Sequence, residues 1–149
     1  MASELKVDKF TGVTTAGSIL VTGEGNSTTT NLQQGLAKAW CAFDMADNSD
    51  YILDSLNTGS FTDHGTGGAS INFSNAMGNA NYSATHMTSM QSDAREINTL
   101  NFDFDQSGSG TAPTTTAVRV FNAAGATANL DATSQDPKRA SITIHGDLA

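Results

Sequence analysis

The sequence predicts an all-β protein, an antiparallel β-sandwich or jelly-roll-like domain carrying an extended N-terminal arm. Three observations predict it. Apolar residues alternate with small polar ones in several runs: Ala69, Ile71 and Phe73; Leu100, Phe102 and Phe104; Val118 and Val120; Ile142 and Ile144. Successive strand side chains point to opposite faces, so each run reads as a half-buried strand with a wet outer side. Ser, Thr, Asn and Gly together supply 61 of 149 residues, a composition suited to turns and exposed strand faces rather than helices. Residues 1–30, finally, hold too little apolar surface to bury a core of their own.

Taken in order, 1–30 is the arm and 31–149 the β-sandwich domain. Within the arm, Ser18 to Val21 reads as one short strand, and GEGNSTTTN after it as a flexible polar linker. In TNLQQGLAKAWCAFD, Thr30 and Gln33 have capping-box spacing, while Gly35 weakens a helix. A helical turn over 30–35 is expected, followed by a strand over 37–43 in which Trp40, the one tryptophan, anchors the core. DMADNSD is a turn and YILDSLN a short strand. TDHGTGG is a hairpin loop leading into the strand GASINFS, and AMGNAN turns the chain into YSATHM. DQSGSGTAPTT and AAGATANLDATSQDPKR read as long loops between the remaining strands. Seven or eight strands with loops of uneven length fit a sandwich better than a meander.

Fifteen acidic residues against seven basic ones give a formal charge of −8. That field repels phosphate backbones, so nucleic acid is not expected as a partner. Cys41 is the only cysteine and can form no intrachain disulfide, which points to synthesis in a reducing cytoplasm. MASELKVDKF lacks the apolar stretch of a secretion signal, and no run of eighteen apolar residues is present, so membrane insertion is not expected. The sequons at Asn26, Asn72 and Asn81 then follow from composition rather than glycosylation.

The candidate chemistry is thin. Asp103, Asp105, Ser107 and Gly108 imitate the first half of a calcium loop, but Thr114 stands where that loop needs a bidentate glutamate. Asp44, Asp47 and Asp50 form a second acidic group, read as a solvated turn. His64, His86 and His145 have no zinc-pair spacing. Asp63 beside His64, with Ser60 or Thr62 near, outlines an imaginable triad, yet such proximity is expected by chance in a hydroxyl-rich chain. Gly23, Glu24 and Gly25 lack the lysine of a phosphate loop. Lys138 and Arg139 read as a solvated pair. Tyr51, Phe61, Tyr82 and Phe121 could offer an aromatic platform to a sugar, with core packing the plainer reading for most of them. No catalytic residue, cofactor site or metal site is assigned, and no enzyme activity is expected.

NSTTTNLQQGLAKAW, then DSLNTGSFTDHGTGGASINFSNAMGNANYSATHM, then TTAVRVFNAAG and SITIHGDLA resemble, in order, a group of virion structural proteins of marine tailed bacteriophages. The opening LKVDKFTG is similar to the first residues of phage tail-fibre proteins. The chain departs from that pattern at CAFDMADNSDYIL, where the group carries a glycine-rich turn. The resemblance implies a virion location after assembly in the host cytoplasm, and a tail-fibre or appendage module that contacts other virion proteins. A homo-oligomer, a trimer before other stoichiometries, and a host-surface glycan or receptor as a further partner also follow from it. Capsid decoration or a head fibre is the alternative, because the chain has neither the repeats nor the heptads of a long shaft. The loops TDHGTGG, DQSGSGTAPTT and AAGATANLDATSQD are the expected contact segments.

Overall fold

The computed structural model describes residues 4–12, 19–22, 29–47, 51–89, 96–102, 112–126 and 129–148. By its contacts the chain separates into two units, Met1–Leu36 and Ala37–Ala149.

In the first unit, residues 4–12 form no regular element, and an exposed ion pair joins Lys6 to Glu4 at 3.4 Å. Strand β1 (Leu20–Thr22) pairs antiparallel with β2 (Thr29–Asn31). The Leu32 amide donates to the Ile19 carbonyl at 2.9 Å, leading into a single helical turn, α1 (Leu32–Gly35). Thr29–Asn31 is therefore strand, although it lies in the stretch expected to be linker; β-branched threonines suit a paired extended backbone.

The second unit is an antiparallel sandwich. One sheet has four strands, β3 (Ala39–Phe43), β4 (Ile52–Leu56), β7 (Ser83–Thr88) and β11 (Ala140–His145), in the order β4-β3-β11-β7. The other has five: β5 (Thr58–Asp63), β6 (Gly68–Phe73), β8 (Glu96–Phe102), β9 (Ala117–Ala126) and β10 (Asn129–Ser134). Strand β9 is its spine. Its first half pairs with β6 and its second half with β10, while β8 lies along the opposite edge.

Period-2 alternation builds the core. Ala39, Cys41 and Phe43 of β3 and Ala140, Ile142 and Ile144 of β11 point inward from one sheet. Ala69, Ile71, Val118, Val120 and Leu100 meet them from the other. Each fully buried aliphatic side chain contributes about 1.5–3 kcal/mol, so this layer dominates stability. The Phe43 and Phe61 rings join the sheets with centroids 5.4 Å apart. Tyr82 closes one side, its ring edge-on to Phe73 and its hydroxyl donating to the Ala117 carbonyl at 3.1 Å.

Three expectations are corrected here. Trp40 is not a core anchor: β3 commits its odd positions to the interior, leaving Trp40 half-buried on the outer face between Leu56 of β4 and Thr143 of β11. Phe102 shares the inward face of Leu100 but is 39% exposed, because it ends β8 at the edge of the sheet. Phe104 lies outside the described residues. The loop expected over 123–139 is largely strand, since β9 runs on to Ala126 and β10 pairs back on it. Among its described residues the second unit thus has nine strands rather than seven or eight. Ala, Asn and Asp have low strand propensity, and the ladder to β9 overrides it.

Asn57 turns the chain from one sheet into the other, between the end of β4 and the start of β5. Its φ is 56°, in the left-handed region that asparagine tolerates better than most residues. Its side-chain oxygen accepts from the Asn75 amide at 2.7 Å, and its carbonyl accepts from the Ser74 amide at 3.1 Å.

Candidate functional site

Among the described residues, the richest polar cluster surrounds the β5–β6 hairpin turn, Asp63 to Gly68. The turn needs its glycines: Gly65 has φ 92° and Gly67 φ 79°. The His64 amide donates to the Gly68 carbonyl, and the Gly68 amide to the Gly65 carbonyl, each at 2.9 Å. Two carboxylates cap it. Asp63 accepts from the Gly65 amide at 2.8 Å, and Asp136 accepts from the Gly67 amide at 2.6 Å across a separation of 69 residues. A β-carbon at Gly67 would stand 2.6 Å from the Asn122 carbonyl oxygen, so the close approach excludes a side chain as firmly as the dihedral does.

Beside the turn, Tyr51 stacks on Phe61 with centroids 4.7 Å apart and planes 15° apart, and its hydroxyl donates to Asp63 at 3.3 Å. Partial desolvation and the Asp63 carboxylate, with Asp136 and Asp47 farther off, raise the phenol above the ordinary tyrosine range. On the outer face, the Asn72 amide donates to the hydroxyls of Ser60 and Thr62, both at 3.0 Å, and His64 Nε2 lies 2.7 Å from Ser70 Oγ. Asn101 donates to Thr99 on the same face at 2.6 Å.

The imagined triad does not assemble. One Asp63 oxygen is held by the Gly65 amide and the other by Tyr51, while Ser60 and Thr62 are held by Asn72. His64 pairs instead with Ser70, a residue the sequence reading had not singled out. What the cluster offers is a face of hydroxyl and amide donors and acceptors beside an aromatic stack. That is recognition chemistry, suited to hydrogen-bonding a polyhydroxylated or peptide surface.

The other candidates are dispersed. Asp44 caps its own turn, accepting from the amides of Ala46 at 2.9 Å and Asp47 at 3.2 Å; Asp50 lies outside the described residues. So do Asp103, Asp105, Ser107, Gly108 and the Gly23–Gly25 stretch. Among the described residues no group of three or more His, Cys, Asp or Glu is placed to hold a metal ion. Lys138 and Arg139 are exposed, Tyr82 is buried, and Phe121 is half-buried on the outer face opposite Asn101. His86 is exposed on β7 and His145 half-buried on β11.

Of the three expected contact loops, two meet. The 64–68 turn packs on residues 134–136, where Asn122 bonds both the Gly67 carbonyl and the Gln135 carbonyl. The described part of the third, 112–115, lies beyond the other end of β6, where the Thr115 carbonyl accepts from the Met77 amide at 2.7 Å. Ser70 and Asn72 were legible in principle, as the outward partners of Ala69 and Ile71. Asp136, 69 residues from Gly67, carried no local signal. Among the described residues no helix is long and apolar enough to cross a membrane.

The chain matches no protein-family model, no curated protein and no solved structure.

Proposed function

We propose that this chain is a structural virion protein of a tailed phage, a tail-fibre or appendage module that mediates particle assembly and host-surface adsorption. The observation that carries the reading is the division of labour within the chain. A sandwich with an inward apolar layer turns a hydroxyl- and amide-rich face outward around Ser60, Thr62, Ser70 and Asn72. A separate N-terminal unit keeps Leu5, Val7, Phe10, Leu20 and Val21 exposed. Apolar side chains left in water favour a partner surface, and repeated polar faces in a symmetric assembly convert weak contacts into avidity. The ordered resemblance of the segments from Asn26 to the final strand points to the same class.

In this reading the partners are other virion proteins and further copies of the chain, a homotrimer before other stoichiometries. The outward polar face and the 64–68 turn meet a host glycan or receptor. Capsid decoration is the second reading, favoured by a sequence without heptads or tandem repeats from which to build a long shaft. Mass spectrometry of particles purified from the phage that encodes the chain tests the proposal. Peptides of this sequence in fixed stoichiometry with the major capsid protein are expected, and their absence from infectious particles contradicts both readings.

A further inference from the structure

The strand registers set two neighbouring rows across the outer face of the five-stranded sheet. Thr62, Ser70 and Arg119 stand side by side in one, and Gly68, Phe121 and Asn101 in the next. His64 closes the second row, its amide bonded to the Gly68 carbonyl and its Nε2 2.7 Å from Ser70 Oγ. Side chains directly opposite in such rows stand about 4.5–5.5 Å apart. Thr62, His64 and Asn101 are exposed, and Ser70, Arg119 and Phe121 half-buried. Gly68 sets no side chain against Phe121 from β6.

The charge on this face runs against that of the chain. Among the described outward positions of β5, β6, β8 and β9, Arg119 is the one charged side chain and no carboxylate is present. Asp63 and Asp136, the carboxylates of the turn, lie instead close enough to Tyr51 to raise its phenol, and Asp63 pairs with Ala69, which faces the core. A chain of net charge −8 thus turns a cation outward among hydroxyls, amides and one aromatic ring. Nucleic acid asks for a cation at each phosphate contact and is repelled by the remaining field.

We propose that this face binds an acidic polysaccharide, a polymer whose uronate carboxylates stand among many hydroxyls, with Arg119 on the carboxylate. The guanidinium fork suits a carboxylate with two parallel hydrogen bonds. Ser70, Thr62 and Asn101 exchange hydrogen bonds with sugar hydroxyls, and the Phe121 ring packs on an apolar sugar face. This deepens the adsorption part of the reading above by naming the ligand class, and rests on it.

Affinity electrophoresis of the full-length protein through gels holding hyaluronan, alginate or polygalacturonate, each beside its carboxyl-reduced form, tests this. At least one uronate polymer should retard the protein, and its reduced form should bind about 10- to 100-fold more weakly. Arg119→Gln should lower affinity by a similar factor. Asn101→Asp, at an exposed position, sets a carboxylate against that of the ligand and should weaken binding too, so the test stands even where Arg119→Gln fails to fold. Lys138→Gln with Arg139→Gln, just ahead of β11 in the other sheet, should leave affinity unchanged. Retardation by none of the three polymers, equal binding of the reduced forms, or an equal loss in the Lys138 and Arg139 variant overturns the proposal. Those results leave the virion reading standing, whereas binding by a protein whose peptides are absent from particles keeps this site and overturns that reading.

Discussion

The side-chain amide of Asn122, wholly buried in β9, donates to the backbone carbonyl of Gln135 at 2.9 Å. The same residue donates its backbone amide to Gly67 at 2.7 Å and accepts from Thr88 Oγ1 at 3.4 Å. One asparagine thus ties the β5–β6 turn, the segment after β10 and the far sheet together. A buried amide is tolerated in an apolar layer only when it is satisfied in this way.

Replacing Asn122 with alanine strands the Gln135 carbonyl and opens a void. The expected loss is about 2–3 kcal/mol, read as a lower urea midpoint at unchanged slope. Asn122→Asp removes the donor and should destabilise in the same direction.

The two turn glycines should respond unequally to alanine. At Gly65 the new β-carbon meets open space, so only the left-handed dihedral is penalised, about 1–2 kcal/mol. At Gly67 the same strain is joined by the 2.6 Å clash with the Asn122 carbonyl, and the loss should be clearly larger. Thermal melts of the two variants side by side measure the difference.

Asn57→Gly relieves the φ of 56° but loses the bond to Asn75, whereas Asn57→Ala loses the bond and keeps the strain. The expected order of stability is Asn57, then Gly, then Ala, with Ala lower than Gly by about 1 kcal/mol.

Alkali should weaken the fold through two buried groups. Burial raises the Cys41 thiol from 9.0 to about 11 and the Tyr82 phenol from 10.0 to about 12. Both groups bind protons more tightly folded than unfolded. Their contribution is therefore complete below pH 9 and declines as the pH rises through 11, by roughly 1–2 kcal/mol. Urea midpoints between pH 8 and 11 track it, and Cys41 should react with a thiol reagent at pH 8 only on unfolding.

Much of the sandwich was legible because its strands alternate cleanly. Ala69 with Ile71, Val118 with Val120 and Ile142 with Ile144 all face inward as their spacing requires. Trp40 was misread because AWCAF is apolar at every position, so its parity carries no information. Strand β10 was missed because in ANLDATS the strand-averse Ala, Asn and Asp outnumber the one β-branched residue, Thr133, and the segment owes its conformation to β9. The polar cluster was half legible: Asp63 and His64 stand out in TDHGTGG, but their partners Tyr51, Ser70 and Asp136 are set by pairing across the fold. Non-local hydrogen bonds leave no mark on local sequence.

Immunogold electron microscopy of intact particles with an antibody to this chain tests the central claim most directly. The account predicts gold on the virion, concentrated at the tail for an appendage. Gold spread over the head would transfer the assignment to decoration. Particles left bare by an antibody that recognises the purified protein would contradict the account.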